Sequence, residues 1–116
     1  VAALLRGKHR PTFQPSMSNG DHVIVVNAAK VVVTGDTREK KYYRHSMYPG
    51  GLKSITQEKL LETKPAKAIE FAVKGMLPHN AHGAKLLRCL RVYPGPEHKH
   101  AAQVNAGKAK ARAEEA

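Results

Sequence analysis

The chain has 116 residues, of which 20 are Lys or Arg and 9 are Asp or Glu, so its formal net charge is +11. That length fits one domain, the short apolar runs exclude a bilayer-spanning segment, and the single cysteine, Cys89, excludes an internal disulfide and suits a reducing compartment. Because basic residues are spread along the whole chain, we expect a polyanion as partner, most commonly nucleic acid.

The first half of the chain predicts one short helix and two strands. Residues 1–6 are rich in Ala and Leu and end at Gly7 in the manner of a helix C-cap. Residues 22–27 are β-branched with little alternation, as in a strand covered on both faces, and residues 31–35 predict a second strand. The opening residues resemble the end of a helix, so we expect that a strand preceding it is missing from this chain.

The second half predicts three helices and a last strand. One helix begins at Ser54 or Thr56 and runs to about residue 62, and a second begins at Lys64-Pro65. The second helix carries a regular apolar stripe, formed by Ile69, Ala72, Val73, Met76 and Leu77. Residues 82–90 predict a short helix and residues 91–93 a strand.

Alternating strands and helices indicate an α/β domain with a mostly parallel sheet. We assign residues 1–103 to one domain and residues 104–116 to a basic Ala/Lys-rich tail that is extended or disordered. A membrane surface would also attract this charge, but it calls for an amphipathic helix with a strongly apolar face, which none of the predicted helices has.

The stretch KKYYRHSMYPGG, residues 40–51, combines cations, aromatic rings and two glycines. A solvated loop is the simple interpretation of a charge run. Exposed tyrosines argue against it, because bases stack on such rings, and glycine lets the backbone approach a phosphate closely. Together with a second basic loop, RGKHRP at residues 6–11, this stretch predicts a surface for folded RNA.

Catalytic and metal sites are not indicated. The pairs His79/His82 and His98/His100 have no carboxylate or cysteine at ligand spacing, so we expect no metal and no cofactor. Cys89 has apolar neighbours and no nearby base. Nucleophile-elbow and phosphate-loop motifs are absent, so we expect that the protein is not an enzyme.

From about Leu4 to Gln103 the sequence resembles the family of bacterial-type large-subunit ribosomal protein thirteen. The motifs that carry the resemblance are YYRHS-x-YPGGLK, V-K-G-M-L-P and L-R-V-Y-x-G-x-E-H-x-H. The resemblance implies a three-layer α/β/α fold with a small, mostly parallel sheet of about four strands, the first of which this chain lacks. It also implies a structural role without catalysis: direct binding to large-subunit ribosomal RNA, support of early subunit assembly, and neighbouring large-subunit proteins around a monomer.

Through the resemblance we carry over a set of RNA-facing residues. They are Arg6, Lys8, His9 and Arg10 in the first basic loop; Lys40, Lys41, Tyr43, Arg44, His45, Tyr48, Gly50, Gly51 and Lys53 in the second; and Lys74, His98 and His100. We add Lys85 and Arg88 as RNA-facing cations that compensate for a family lysine absent at His79. The sequence departs from the family pattern at His79, at Gly83-Ala84 and at Lys99, which leaves the C-terminal contacts open. Bacterial cytoplasm is the expected location, with a plastid or mitochondrial ribosome as the alternative. An extraribosomal RNA-binding regulator of translation remains the alternative function.

Overall fold

The computed structural model describes residues 1–105, and the predicted tail beyond residue 105 lies outside this part. The fold belongs to the α/β class, as predicted. Residues 101–105, which include the first two residues assigned to the tail, are helical. The other elements, in chain order, are α1 (Ala2–Arg6), β1 (Val23–Val25), a 3₁₀ turn (Ala28–Lys30), β2 (Lys41–His45), β3 (Leu52–Thr56), α2 (Gln57–Thr63), α3 (Pro65–Met76), α4 (Ala81–Leu87) and β4 (Leu90–Val92).

Two separate two-stranded sheets replace the single sheet expected from the sequence. In the first, β1 and β4 run parallel, with Val23 opposite Leu90 and Val25 opposite Val92. In the second, β2 and β3 form an antiparallel hairpin. The predicted parallel pairing is therefore present in the core, whereas the three-layer arrangement stays a prediction.

The prediction of a strand at residues 31–35 is wrong. The structure assigns no strand there, and the side chain of Val32 is 86% exposed. A β-branched run favours a strand only where a neighbour supplies ladder hydrogen bonds and a surface to cover the side chains. Residues 31–35 have the composition of a strand, but they have neither a partner strand for ladder hydrogen bonds nor a surface that covers their side chains.

The stretch predicted as a basic loop, residues 40–51, is partly regular structure. Its first half is β2, and β3 follows the connection at residues 46–51. Since β3 continues to Thr56, the alternative helix start at Ser54 is wrong and the start at Thr56 is confirmed. The Thr56 hydroxyl caps α2 by accepting the Lys59 N–H at 3.4 Å.

A small aliphatic core holds α1, α3, α4 and the two parallel strands together. It is formed by Leu5, Val73, Leu77, Leu86 and Leu90. The predicted α3 stripe is correct for its Val73 and Leu77 positions, but Met76 is 67% exposed and faces away from this core. As predicted, α3 has a proline in its first turn and a short helix, α4, follows it. Helix α4 begins one residue earlier than expected. It ends at Leu87, since Leu90 already belongs to β4.

Helix α1 is fixed to the domain at its C-terminal end. Gly7 caps it in the left-handed region with φ +81, as its sequence position predicts. Gly20 lies against the last turn, where a Cβ atom would stand 1.7 Å from the Leu5 carbonyl oxygen. With the buried Leu5 side chain, these two glycines secure the start of the first basic loop.

Candidate nucleic-acid interface

The hairpin β2–β3 presents the predicted basic and aromatic residues on two faces. In an antiparallel pair, directly opposite residues share a face and successive residues alternate between faces. The register places Tyr42 opposite Ile55 and Arg44 opposite Lys53 on one face, which we call the inner face. The other face, the outer face, carries Lys41, Tyr43 and His45.

A glycine turn closes the hairpin. The Gly51 N–H donates to the Tyr48 carbonyl at 2.9 Å, and Gly50 has φ +69, which fits the Pro-Gly pattern of a type II turn. A Cβ atom on Gly51 would lie 2.0 Å from the Ser46 Oγ atom. Both glycines therefore have a structural reason to be there, and their predicted phosphate contact stays a prediction.

Tyr42 anchors the hairpin to helix α3. Its ring packs against Phe71, with the ring centroids 5.4 Å apart, and the Lys40 ammonium lies 5.4 Å from the centroid of the Tyr42 ring. The Tyr42 hydroxyl also accepts a long hydrogen bond, 3.4 Å, from Gln57. This contact explains why one tyrosine of the stretch is partly covered while the other two are not.

Tyr43 and Tyr48 are left open to solvent. Their side chains are 67% and 75% exposed. His45 lies on the same outer face, and its Nδ1 atom accepts the Met47 N–H at 2.8 Å, which leaves the Nε2 edge of the ring available. Two aromatic rings and one imidazole thus form an accessible stacking surface at the distal part of the hairpin.

Within the described part of the chain, the cations of the hairpin have no acidic partner. Four ion pairs are formed among residues 1–105, and none of them includes Lys40, Lys41, Arg44 or Lys53. Arg44 and Lys53 stand directly opposite each other, an arrangement that destabilises a hairpin in isolation. A bound anion would relieve that repulsion.

The first basic loop is partly neutralised within the protein. Asp21 pairs with Arg10 and with the His9 Nε2 atom, the latter at 3.0 Å. The Arg6 guanidinium lies 6.0 Å from the centroid of the Phe13 ring, whereas Lys8 is exposed. This loop therefore offers less uncompensated charge than the hairpin.

A second basic region lies between α3 and α4. Lys74 and Arg88, both predicted from the sequence, line a groove of about 660 Å³ together with His79 and Arg91. The sequence analysis did not predict Arg91 as a site residue. The signal available for it was its place in the short strand β4 between two covered residues, because alternation then turns its side chain outward. Lys85 is exposed on α4 but does not line the groove.

The two predicted C-terminal histidines contact their own chain. His100 Nε2 lies 2.9 Å from the Tyr93 hydroxyl, and His100 Nδ1 lies 3.1 Å from the Gln103 Oε1 atom. His98 accepts the His100 backbone N–H at 3.1 Å. These bonds fasten the C-terminal part of the described chain next to β4, and both ring nitrogens of His100 are already engaged there.

In the part of the chain that the structure describes, nothing supports a metal site or a bilayer-spanning helix. Within residues 1–105 no group of three or more His, Cys, Asp or Glu side chains is placed to hold a metal ion. Over the same range, none of the helices combines the length and the apolar character needed to cross a bilayer.

The fold and this surface define a class: a small basic α/β protein that presents uncompensated cations and open aromatic rings on a hairpin. The family model of ribosomal protein L13 matches residues 1–99. The chain therefore belongs to the ribosomal protein L13 family, whose members are structural proteins of the large ribosomal subunit and not enzymes.

Bacterial proteins of known identity are similar over most of the chain. A protein from Natranaerobius thermophilus is 61% identical over 104 residues, which cover 89% of this chain and 73% of the relative. Proteins from Pelotomaculum thermopropionicum and Micrococcus luteus are 58% and 61% identical over the same share of this chain, covering 72% and 71% of their own lengths. Each is named large ribosomal subunit protein uL13.

Proposed function

We propose that this protein binds large-subunit ribosomal RNA directly and that the β2–β3 hairpin makes the main contact. One observation carries the proposal: Arg44 and Lys53 face each other across the hairpin without an acidic partner among residues 1–105. Two like charges in register are unfavourable in the free protein and become favourable when a phosphate lies between them.

The exposed rings add a second type of contact. Tyr43 and Tyr48 are exposed on the same hairpin and its connection, so one segment can bind phosphates through its cations and unpaired bases through its rings. Structured RNA offers both groups within a short distance, whereas duplex DNA keeps its bases stacked. This pairing of charge and rings favours folded RNA as the partner.

The remaining predicted residues form secondary contacts in this proposal. The first basic loop and the groove that holds Lys74 and Arg88 would each add phosphate contacts. His100 contributes indirectly, by holding the C-terminal part of the described chain in place. Residues 1–103 act as one RNA-binding domain, and the basic tail, where it continues past residue 105, adds charge.

The proposal also covers where the protein acts and at which stage it joins the large subunit. The protein acts as a monomer among large-subunit proteins and supports early assembly of the subunit. The similar proteins reported above come from bacteria, which favours the bacterial cytoplasm and gives no support to a plastid or mitochondrial ribosome. Sedimentation of a cell extract tests this setting: the protein should travel with the large subunit, whereas a free regulator of translation would stay near the top of the gradient.

A salt series tests the hairpin contact. Lys40, Lys41 and Arg44 are replaced by Ala, and affinity for a transcribed large-subunit RNA fragment is measured from 50 to 200 mM salt. Each lost phosphate contact lowers the slope of log affinity against log salt by about 0.7–0.9, so three lost contacts lower it by about 2–3. Affinity at low salt falls as well.

A matched variant removes the same charge elsewhere. Lys30, Lys59 and Lys99 are exposed, and none is among the predicted contacts. Their replacement by Ala should change affinity much less than the hairpin variant does. Equal effects of the two triple variants, or an unchanged slope in the hairpin variant, would refute the hairpin as the main contact.

A further inference from the structure

A cleft lies between the hairpin and the helical pair α2–α3. Its volume is about 680 Å³, within the range of about 300–1,000 Å³ that is typical of small-ligand sites. Residues of both hairpin strands form one wall, mainly from the inner face but with Tyr43 and Ser54 at its border, and α2 and α3 form the other. Lys41 and His45, on the outer face, do not line the cleft.

Aromatic and aliphatic side chains line the interior of the cleft. Phe71 and Tyr42 contribute two rings inclined by 31° to each other, with Leu60 and Ile55 beside them. Phe71 is 43% exposed, an unusual degree for a phenylalanine that packs against another ring. Part of the Phe71 ring is thus accessible to a planar group that enters the cleft.

Cations surround this aromatic interior. Arg44 and Lys53 stand on the hairpin side, and Lys64 and Lys67 on the helical side. Lys67 is paired with Glu70 at 2.8 Å, whereas the other three have no ion pair among residues 1–105. Among residues 1–105, no Asp or Glu lines the cleft. An anionic ligand with a flat apolar part therefore matches it best.

We propose that this cleft accepts a single unstacked nucleotide of the bound RNA, with its base on the Phe71 ring and its phosphate between Arg44 and Lys53. Ser54 and Thr63 border the cleft and supply hydroxyl groups for the ribose or the edge of the base. The assignment rests on the proposed RNA binding and adds a specific subsite to it. A purely apolar peptide would leave the surrounding cations without partners, so it is the weaker candidate.

Substitutions at Phe71 test the subsite. Stacking of one base contributes about 1–3 kcal/mol, so Phe71→Leu, which keeps an apolar side chain but removes the ring, should weaken binding of a transcribed large-subunit RNA fragment by about 5- to 150-fold. Phe71→Tyr keeps the ring and should stay within about twofold of the unchanged protein. Because neither variant alters charge, the salt slope should not change.

Cross-linking locates the nucleotide without relying on a substitution. The same RNA fragment, transcribed with 4-thiouridine, is bound to the unchanged protein and irradiated, and the linked peptides are identified by mass spectrometry. We expect a link to Phe71 or Tyr42, on the walls of the cleft. Links confined to residues outside the cleft, such as Lys41, His45 and Tyr48, would overturn the subsite.

A control at the hairpin tip separates the two proposals. Tyr48 is exposed and does not line the cleft, so Tyr48→Leu tests hairpin binding alone. If Tyr48→Leu weakens RNA binding while Phe71→Leu has no effect, the hairpin contact stands and the subsite is wrong. If neither variant nor the triple cation variant affects binding, the proposed function itself fails.

Discussion

Replacing Lys53 by Glu should make the free hairpin more stable and its binding to RNA weaker. Lys53 stands directly opposite Arg44, so the substitution turns a repulsive cross-strand pair into an attractive one. For charges about 6 Å apart in water, the interaction is about 0.7 kcal/mol, and reversing its sign gains about 1.4 kcal/mol at low salt. Screening at physiological ionic strength roughly halves this gain, to about 0.7 kcal/mol.

Native-state hydrogen exchange measures this gain in stability within the hairpin itself. The amide protons of β2 and β3 should exchange about threefold more slowly in Lys53→Glu, which corresponds to that free energy of local opening. In 1 M salt, where the screening length is about 3 Å, the difference should vanish. Affinity for ribosomal RNA should fall in the same variant, since a phosphate contact is lost and an anion is added.

Lys41→Glu is the matched control. It changes the net charge equally and lies on the same hairpin, but its cross-strand neighbour is the uncharged Thr56. It should weaken RNA binding without slowing amide exchange in the hairpin. If both variants protect the hairpin equally, or neither does, the opposed pair is not a source of strain in the free protein.

Four further substitutions test the fold. Met47→Gly should stabilise the hairpin by about 0.5–1 kcal/mol, because Met47 has φ +69, which only glycine adopts freely; an unchanged rate of hairpin amide exchange would contradict this. Gly83→Ala should lower the melting temperature, since its Cβ would lie 1.7 Å from the Pro78 carbonyl oxygen. Gly75→Ala, on the open surface of α3, should raise the melting temperature. If Gly83→Ala melted at a higher temperature than Gly75→Ala, the close packing of α4 against Pro78 would be wrong. Leu5→Ala should cost about 2–4 kcal/mol in chemical denaturation, and a loss below 1 kcal/mol would show that α1 is not part of the core.

The helices were predictable because their signals are local. Pro65 in a first turn and the Val73–Leu77 spacing specify α3 from neighbouring residues alone. The strands depend on partners elsewhere in the chain. Residues 31–35 have the composition of a strand but no partner, whereas Lys41–His45 have a charged composition and form one, because β3 and Phe71 support them.

The composition of the candidate site was predictable, but its geometry was not. A cluster of cations and tyrosines is visible in the sequence; which of them share a face follows only from the hairpin register. That register turns Tyr42 inward and sets Arg44 against Lys53. The bond between His100 and the Tyr93 hydroxyl was likewise hidden, because nothing in the sequence distinguishes a histidine held by its own chain from one that awaits a ligand.

The hairpin also gives the molecule a natural optical label. The chain contains no tryptophan and four tyrosines, and three of these, Tyr42, Tyr43 and Tyr48, lie on the hairpin or its connection. Near-ultraviolet absorbance and emission therefore report mainly on this one segment, with Tyr93 as the single contribution from elsewhere. Quenching of that emission on titration with RNA would follow events at the hairpin without any attached dye.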